Sequence, residues 1–347
     1  MSWTRIVIVN IVVFIGILLS IELIAAAFYF HKNAAVNHTS STAWLVNGVA
    51  KKMDRFRALS SIEGMERPKY DADSILINPK SSTEKDFAEY LLGEYQKEFS
   101  ELVSSLKNDN IPLWILWLPT NKNAQINSFY NHYFETLAAK YGVKFMGGKE
   151  LLEAPREHIF LEPYNGHLTR YANLLIADQL FSELNKEKLE QKKPFKCENI
   201  RGMFGANKRE IWPIIPEVPY LHTTDEFGFR SSLPHTEKLN QKPTILIAGD
   251  SFTFGPYLSS YDTYPAHLNR KLNTFTVFNG GVSSFSIRSE RALIERNVKC
   301  LNPSLVILQV LDNDISDMAV AKYNEYNFNG EVLNIPEVEA KFYAELR

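Results

Sequence analysis

Three short apolar runs near the end of this chain, at residues 244–248, 276–278 and 304–310, alternate with stretches whose apolar positions recur every three to four residues. A continuous apolar run of strand length needs cover on both faces, and intervening helices return the chain to the same end of the sheet. The alternation therefore restricts this part of the chain to a parallel sheet with right-handed crossovers and helices on both sides. The same pattern occurs upstream. Phe87, Leu91, Tyr95, Phe99, Leu102 and Leu106 mark an amphipathic helix, and the run at 112–118 reads as a strand. Residues 129–141, 143–146 and 169–185 then read as helix, strand and helix. The expected class is α/β, with five strand-forming segments drawn from two separate stretches of chain.

The first thirty residues have a different character. Between positions 6 and 30 only Asn10, Ser20 and Glu22 are strongly polar, so the segment is long and apolar enough for a helix to cross a bilayer core. A cleavable signal has a shorter apolar core, of about 7–15 residues, followed by small residues. Ala25, Ala26 and Ala27 offer such a site, but the uncleaved anchor is the expected reading. Arg5 before the span and Lys32 after it weakly favour an inside amino terminus and an extracytoplasmic bulk. The expected organisation is a transmembrane anchor at 5–30, a stalk or linker at 31–80, and an α/β domain at 81–347. That domain comprises one half at 81–185, a connector at 186–243 and a second half at 244–347.

Charge and cysteine content exclude several classes. Lys and Arg total 38 against 40 Asp and Glu, a net charge of −2, which removes the basic footprint of a nucleic-acid binder. Two cysteines, Cys197 and Cys300, are too few for a disulfide framework or a four-cysteine zinc site. They are expected as buried thiols, or at most as one bridge.

The chemistry sits at the ends of the three downstream strands. Gly249-Asp250-Ser251 follows the first and precedes a helix, which exposes a hydroxyl beside backbone N–H groups able to receive an oxyanion. Asn279-Gly280-Gly281 ends the second, where glycine permits close backbone approach. Asp312-Asn313-Asp314 ends the third, and its amide serves either as a donor to a developing charge or as a helix cap. Each motif alone is a common turn or cap. In this order, with Gly228-Phe229-Arg230 upstream, they resemble the SGNH (GDSL-type) serine hydrolase family. The resemblance covers about residues 215–314, and it departs from the family where Leu311 stands in place of the third block's leading glycine.

That resemblance implies a three-layer, flavodoxin-like five-stranded parallel sheet, Ser251 as nucleophile, and Ser251, Gly281 and Asn313 as the oxyanion hole. It also implies a closing block with a histidine before the last helix, and the chain ends too soon after Asn313 to supply one downstream. The segment Tyr164-Asn165-Gly166-His167 before the helix at 169–185 looks like that block. His167 is then the base, and Asn165 stands where the family carries its orienting aspartate. Segments 112–118 and 143–146 would supply strands four and five. The chain thus reads as a circular permutation of one domain or as two incomplete halves. On the first reading 244–248 lies between 276–278 and 304–310, 112–118 pairs beside 304–310, and 143–146 forms the edge.

The function implied is a membrane-anchored extracytoplasmic serine esterase working through an acyl-enzyme on an acylated small-molecule or carbohydrate substrate. It needs no metal and no organic cofactor, contacts the membrane through 6–30, and binds no nucleic acid. Two alternatives stay open: an O-acyltransferase modifying envelope polysaccharide, and a non-catalytic envelope binding module on a degraded SGNH fold. Asparagine at 165 bears on the last, since an amide orients an imidazole but does not stabilise the imidazolium by charge.

Overall fold

The computed structural model describes residues 71–120, 122–148, 151, 153–161, 166–192, 194, 200–212, 220–231 and 242–318. They belong to one compact unit, Lys69–Arg347. The anchor segment at 6–30, along with Asn165 and Cys197, lies outside the described residues. Among those described, no helix is long and apolar enough to cross a membrane.

The first described element is a helix where a tether was expected: α1 (Ala72–Ile77), capped by Asp71 and burying Ile75 and Leu76. Helix α2 (Ser82–Asn108) begins at Ser81, whose hydroxyl accepts from the Glu84 amide at 3.1 Å, while the Glu84 carboxylate reaches back to the Lys80 amide. This reciprocal arrangement resembles a capping box and fixes the start of the helix. Strand β1 (Leu113–Trp117) leads through Asn123, the cap of α3 (Ala124–Tyr141), to strand β2 (Lys144–Gly147). Helix α3 stops at Gly142, whose φ of +64° suits glycine.

A one-turn helix α4 (Arg156–Ile159) runs into a short antiparallel hairpin, β3 (Phe160–Leu161) and β4 (His167–Leu168), and then helix α5 (Arg170–Lys186). The connector holds a second antiparallel hairpin, β5 (Arg209–Trp212) with β6 (Tyr220–Thr223). The second half follows in regular alternation. Its elements are β7 (Thr244–Gly249), α6 (Ser251–Phe254), α7 (Tyr264–Lys271), β8 (Thr276–Gly281), α8 (Ile287–Leu301) and β9 (Leu305–Val310).

The five long strands form one parallel sheet in the order β2-β1-β9-β7-β8. Strands from both halves therefore share one sheet, joined where β1 pairs β9 with Ile115 opposite Leu308. Side chains alternate between two cores, as the pleat requires. Ile115, Trp117, Leu246, Ala248, Val306 and Leu308 pack with Phe87, Tyr95, Phe99, Phe134 and Ile294 of α2, α3 and α8. Trp114, Leu116, Ile245, Ile247, Leu305 and Ile307 pack with Ile176 and Leu180 of α5 and Leu268 of α7. Each face of the sheet is thus covered by helices from both halves. Neither half alone would cover its apolar strands, and the exposed β1 and β9 edges would invite misassociation. Cys300, near the end of α8, is disulfide-bonded rather than a free thiol.

Candidate active site

Strand order changes direction around β7, since β8 lies on one side of it and β9 on the other. In open α/β sheets the crevice beyond the carboxyl ends at such a point is where ligands bind. Three chain segments of interest leave there: 250–254 after β7, the end of β8 at Gly281, and 311–314 after β9.

Ser251 opens helix α6 and is held there by its neighbour. Asp250 caps the helix, accepting from the Phe252 amide at 2.9 Å. His167 arrives from the other half, on β4, which is fixed by pairing Leu161 with His167 and Phe160 with Leu168. The next residue, Thr169, caps α5 through the Ala172 amide at 3.1 Å, so the imidazole is anchored by a hairpin on one side and a helix on the other. The structure brings His167 Nε2 to 3.1 Å from Ser251 Oγ across 84 residues of sequence. That distance suits a base accepting the hydroxyl proton, with Nε2 unprotonated. Two aromatic rings contact the imidazole. Phe252 is at 5.6 Å centroid to centroid, and Tyr257 stands edge-on at 5.5 Å and 67°.

The other expected site residues are nearby in chemistry but differently engaged. The Gly281 amide donates to Asn279 Oδ1 at 2.9 Å. A Cβ at Gly281 would lie 2.3 Å from the Phe254 nitrogen and 2.5 Å from the Thr253 carbonyl carbon. The glycine is therefore needed first so that the serine helix can rest on β8. Asn313 Nδ2 donates to Asp250 Oδ2 at 3.2 Å and to Asp317 Oδ2 at 3.0 Å. Its amide hydrogens are thus turned to two carboxyls, an arrangement that a motif cannot reveal. Burial pushes the Asp250 carboxyl up, against the hydrogen bonds from the Phe252 amide and Asn313. The Asp317 carboxyl is pushed up to about 7, by burial first and by Asp250 second.

Two more carboxyls lie behind this layer. Glu290 of α8 and Asp314 are both fully buried, and burial holds their protons well above the usual carboxylate range, each reinforced by the other acids nearby. Among the described residues, neither Glu290 carboxyl oxygen has a hydrogen-bond partner. The unfolded chain releases this proton near pH 4.3, so above that pH the folded state binds more protons and loses stability as pH rises. Glu290→Gln should therefore raise the melting temperature at pH 8 by about 3 °C or more, and by less at pH 5. Thermal unfolding at both values checks this, and a lower melting temperature at pH 8 would refute it.

A third polar group ties the two halves together beside Asn313. Lys122 Nζ lies 2.6 Å from Asp73 Oδ2 and 2.9 Å from Asp312 Oδ2. Thr120 Oγ1 donates to Asp312 at 2.7 Å, and the Tyr130 hydroxyl donates to Asp73 at 2.9 Å. Burial alone would lower the Lys122 pKa, but the two carboxylates outweigh it and hold the ammonium charged. Among the described residues, no group of three or more His, Cys, Asp or Glu side chains could hold a metal ion.

Phe252 and Tyr257 escaped the sequence reading as neighbours of the histidine. Phe252 carried a usable signal, being next to the serine, whereas Tyr257 depends on a left-handed turn with no pattern of its own. No family model matches the chain, and no curated protein matches it closely. Among solved structures, the O-acetyltransferase domain of Pseudomonas putida AlgJ superimposes with a TM-score of 0.47 at 14% identity, covering 74% of this chain and 95% of that one. Pseudomonas aeruginosa AlgX gives 0.38 at 15% identity, covering 65% of this chain and 58% of that one. The architecture stands on the sheet order and the layers described above.

Proposed function

We propose that this chain is a membrane-anchored, extracytoplasmic serine hydrolase of SGNH type that cleaves acyl esters through an acyl-enzyme. The observation that carries the reading is the 3.1 Å approach of His167 Nε2 to Ser251 Oγ at the carboxyl end of a parallel sheet. In the proposed cycle His167 takes the hydroxyl proton as Ser251 Oγ attacks the ester carbonyl, and a tetrahedral oxyanion forms. Collapse expels the alcohol, which takes the proton from His167, and water then repeats the sequence to release the acid. The Ser251 and Gly281 amides and the Asn313 side chain are the proposed oxyanion donors. For Asn313 this means exchanging its buried Asp250 acceptor for the charged oxygen, and for the Gly281 amide exchanging Asn279 Oδ1. Circular permutation of one domain is the proposed origin of the strand order. It explains why each half leaves apolar strands uncovered without the other.

Asn165 is the proposed orienting partner of His167, in the position where an aspartate would do more. Asn165→Asp should then raise steady-state turnover of an acetyl ester, followed by alcohol release, by at least about tenfold, with acetyl-Ser251 mapped separately by mass spectrometry after an acid quench. An unchanged rate would remove position 165 from the mechanism. Adding a carbohydrate acceptor to the same assay distinguishes water from a sugar hydroxyl as the final acyl acceptor. The extracytoplasmic placement predicts that a phosphatase fused after residue 347 is active and membrane-bound. An inactive fusion would reverse the topology.

A further inference from the structure

Arg230 has no part in the cycle above, yet it is 2% exposed, and its side-chain hydrogen bonds among the described residues go to neutral acceptors. It closes the segment Gly228-Phe229-Arg230, and its backbone bridges Asn279 of β8 and Thr224. The guanidinium donates to Ser260 Oγ at 3.1 Å, to the Gly255 carbonyl at 2.8 Å, and to the carbonyls of Phe254 and Leu258. It also lies over the Phe254 ring at 4.4 Å. Burying a cation without a carboxylate is costly unless its donors are used, and here the fork of N–H groups is spread over four acceptors.

Those acceptors have a common location. Phe254 and Gly255 end the helix that Ser251 begins, and their carbonyls are among those a helix leaves without internal partners. Leu258 closes the turn that follows. Between the clamped carbonyls sits Tyr257, with φ at +66°, a left-handed conformation that an aromatic residue rarely adopts. An outlier of this kind persists only where its surroundings enforce it, and such outliers cluster at functional sites. The ring it carries is the one standing edge-on to His167.

We propose that Arg230 is a positioning residue for the Ser251–His167 pair: by clamping the carbonyls at 254, 255 and 258 it holds Tyr257 in its left-handed turn, and the tyrosine ring sets the plane of the imidazole. The inference rests on the reading of His167 as the base. It adds a link from the connector hairpin to the chemistry, through a residue that touches neither reacting atom. Lysine should not replace Arg230, because one ammonium with three donors cannot span the four acceptors of a planar fork.

The test follows the His167 ring itself, by NMR of the full chain in detergent with carbon-13-labelled histidine, its resonance assigned by loss in His167→Ala. Tyr257→Leu should shift this resonance by removing the ring, and Arg230→Lys should shift it too, although Arg230 does not touch the imidazole. Both variants should slow fluorophosphonate labelling of Ser251, by up to about 100-fold, and should move the pH midpoint of labelling. If Arg230→Lys does not fold, Ser260→Ala removes the Nε acceptor alone and should shift the resonance the same way by a smaller amount. A folded Arg230→Lys, or in its place Ser260→Ala, with the His167 resonance unmoved would overturn the latch. Absence of labelling in the unaltered protein would instead overturn the catalytic reading, while the resonance still decides the latch.

Discussion

Replacing Ser251 or His167 with alanine is expected to lower acyl-ester turnover by about 10⁴–10⁶-fold, and replacing both should cost little more, because nucleophile and base act as one unit. Ser251 Oγ has His167 Nε2 at 3.1 Å and Asp250 Oδ2 at 3.4 Å. The aspartate is fully buried, and burial keeps its carboxyl protonated to higher pH. Asp250 Oδ2 is at the limit of hydrogen-bond distance and is already engaged by Asn313, so removal of the imidazole leaves no well-placed acceptor for the proton. Steady-state hydrolysis of an activated acetyl ester measures the loss. Retention of activity within about tenfold in His167→Ala would mean that the serine is activated in another way.

Gly281→Ala should be the most damaging small change in the second half. The added methyl would sit 2.3 Å from the Phe254 nitrogen and 2.5 Å from the Thr253 carbonyl carbon, both of them main-chain atoms of the serine helix. Main chain cannot rotate away as a side chain can. Either α6 lifts from β8 or the end of β8 bends, and both disturb the contact between Ser251 and His167. A destabilisation of about 3 kcal/mol or more is expected, in the range seen for overpacked core sites. Gly93 provides the control, since nothing lies within 4 Å of a Cβ built there in the middle of α2. Gly93→Ala should stabilise the protein, by up to about 1 kcal/mol. Denaturant unfolding of both variants checks the pair, and equal, small effects would contradict the packing account.

The sheet was legible because its strands announce themselves. Residues 113–117, 244–249 and 305–310 are buried on both faces, and burial on both faces selects continuous apolar runs. Helix α1 was not legible. It is short, and it is held by tertiary contacts of Asp73 with Lys122 and Tyr130, about fifty residues further on, which a local pattern does not encode. The hairpins at 160–168 and 209–223 were missed for a related reason, being short and paired locally at positions that carry no alternation. In the site, the positions of Ser251, Gly281 and Asn313 could be read from motifs because each ends a strand. Their hydrogen bonds could not. The Gly281 amide turns to Asn279 two residues back, and Asn313 turns to Asp317 four residues on and to Asp250 after β7, choices of side-chain rotamer that the motifs do not encode. The ring of Tyr257 reaches His167 through a left-handed backbone that no spacing rule anticipates.

The central claim is that a histidine from the first half activates a serine from the second. Fluorophosphonate labelling of the full chain, followed by peptide mass spectrometry, tests it directly, because the probe reacts with an activated serine and not with an inert one. The account predicts one adduct, on Ser251, that disappears in His167→Ala while the variant remains folded. A folded protein that takes up no probe, or that is labelled at Ser251 equally well without His167, would contradict it.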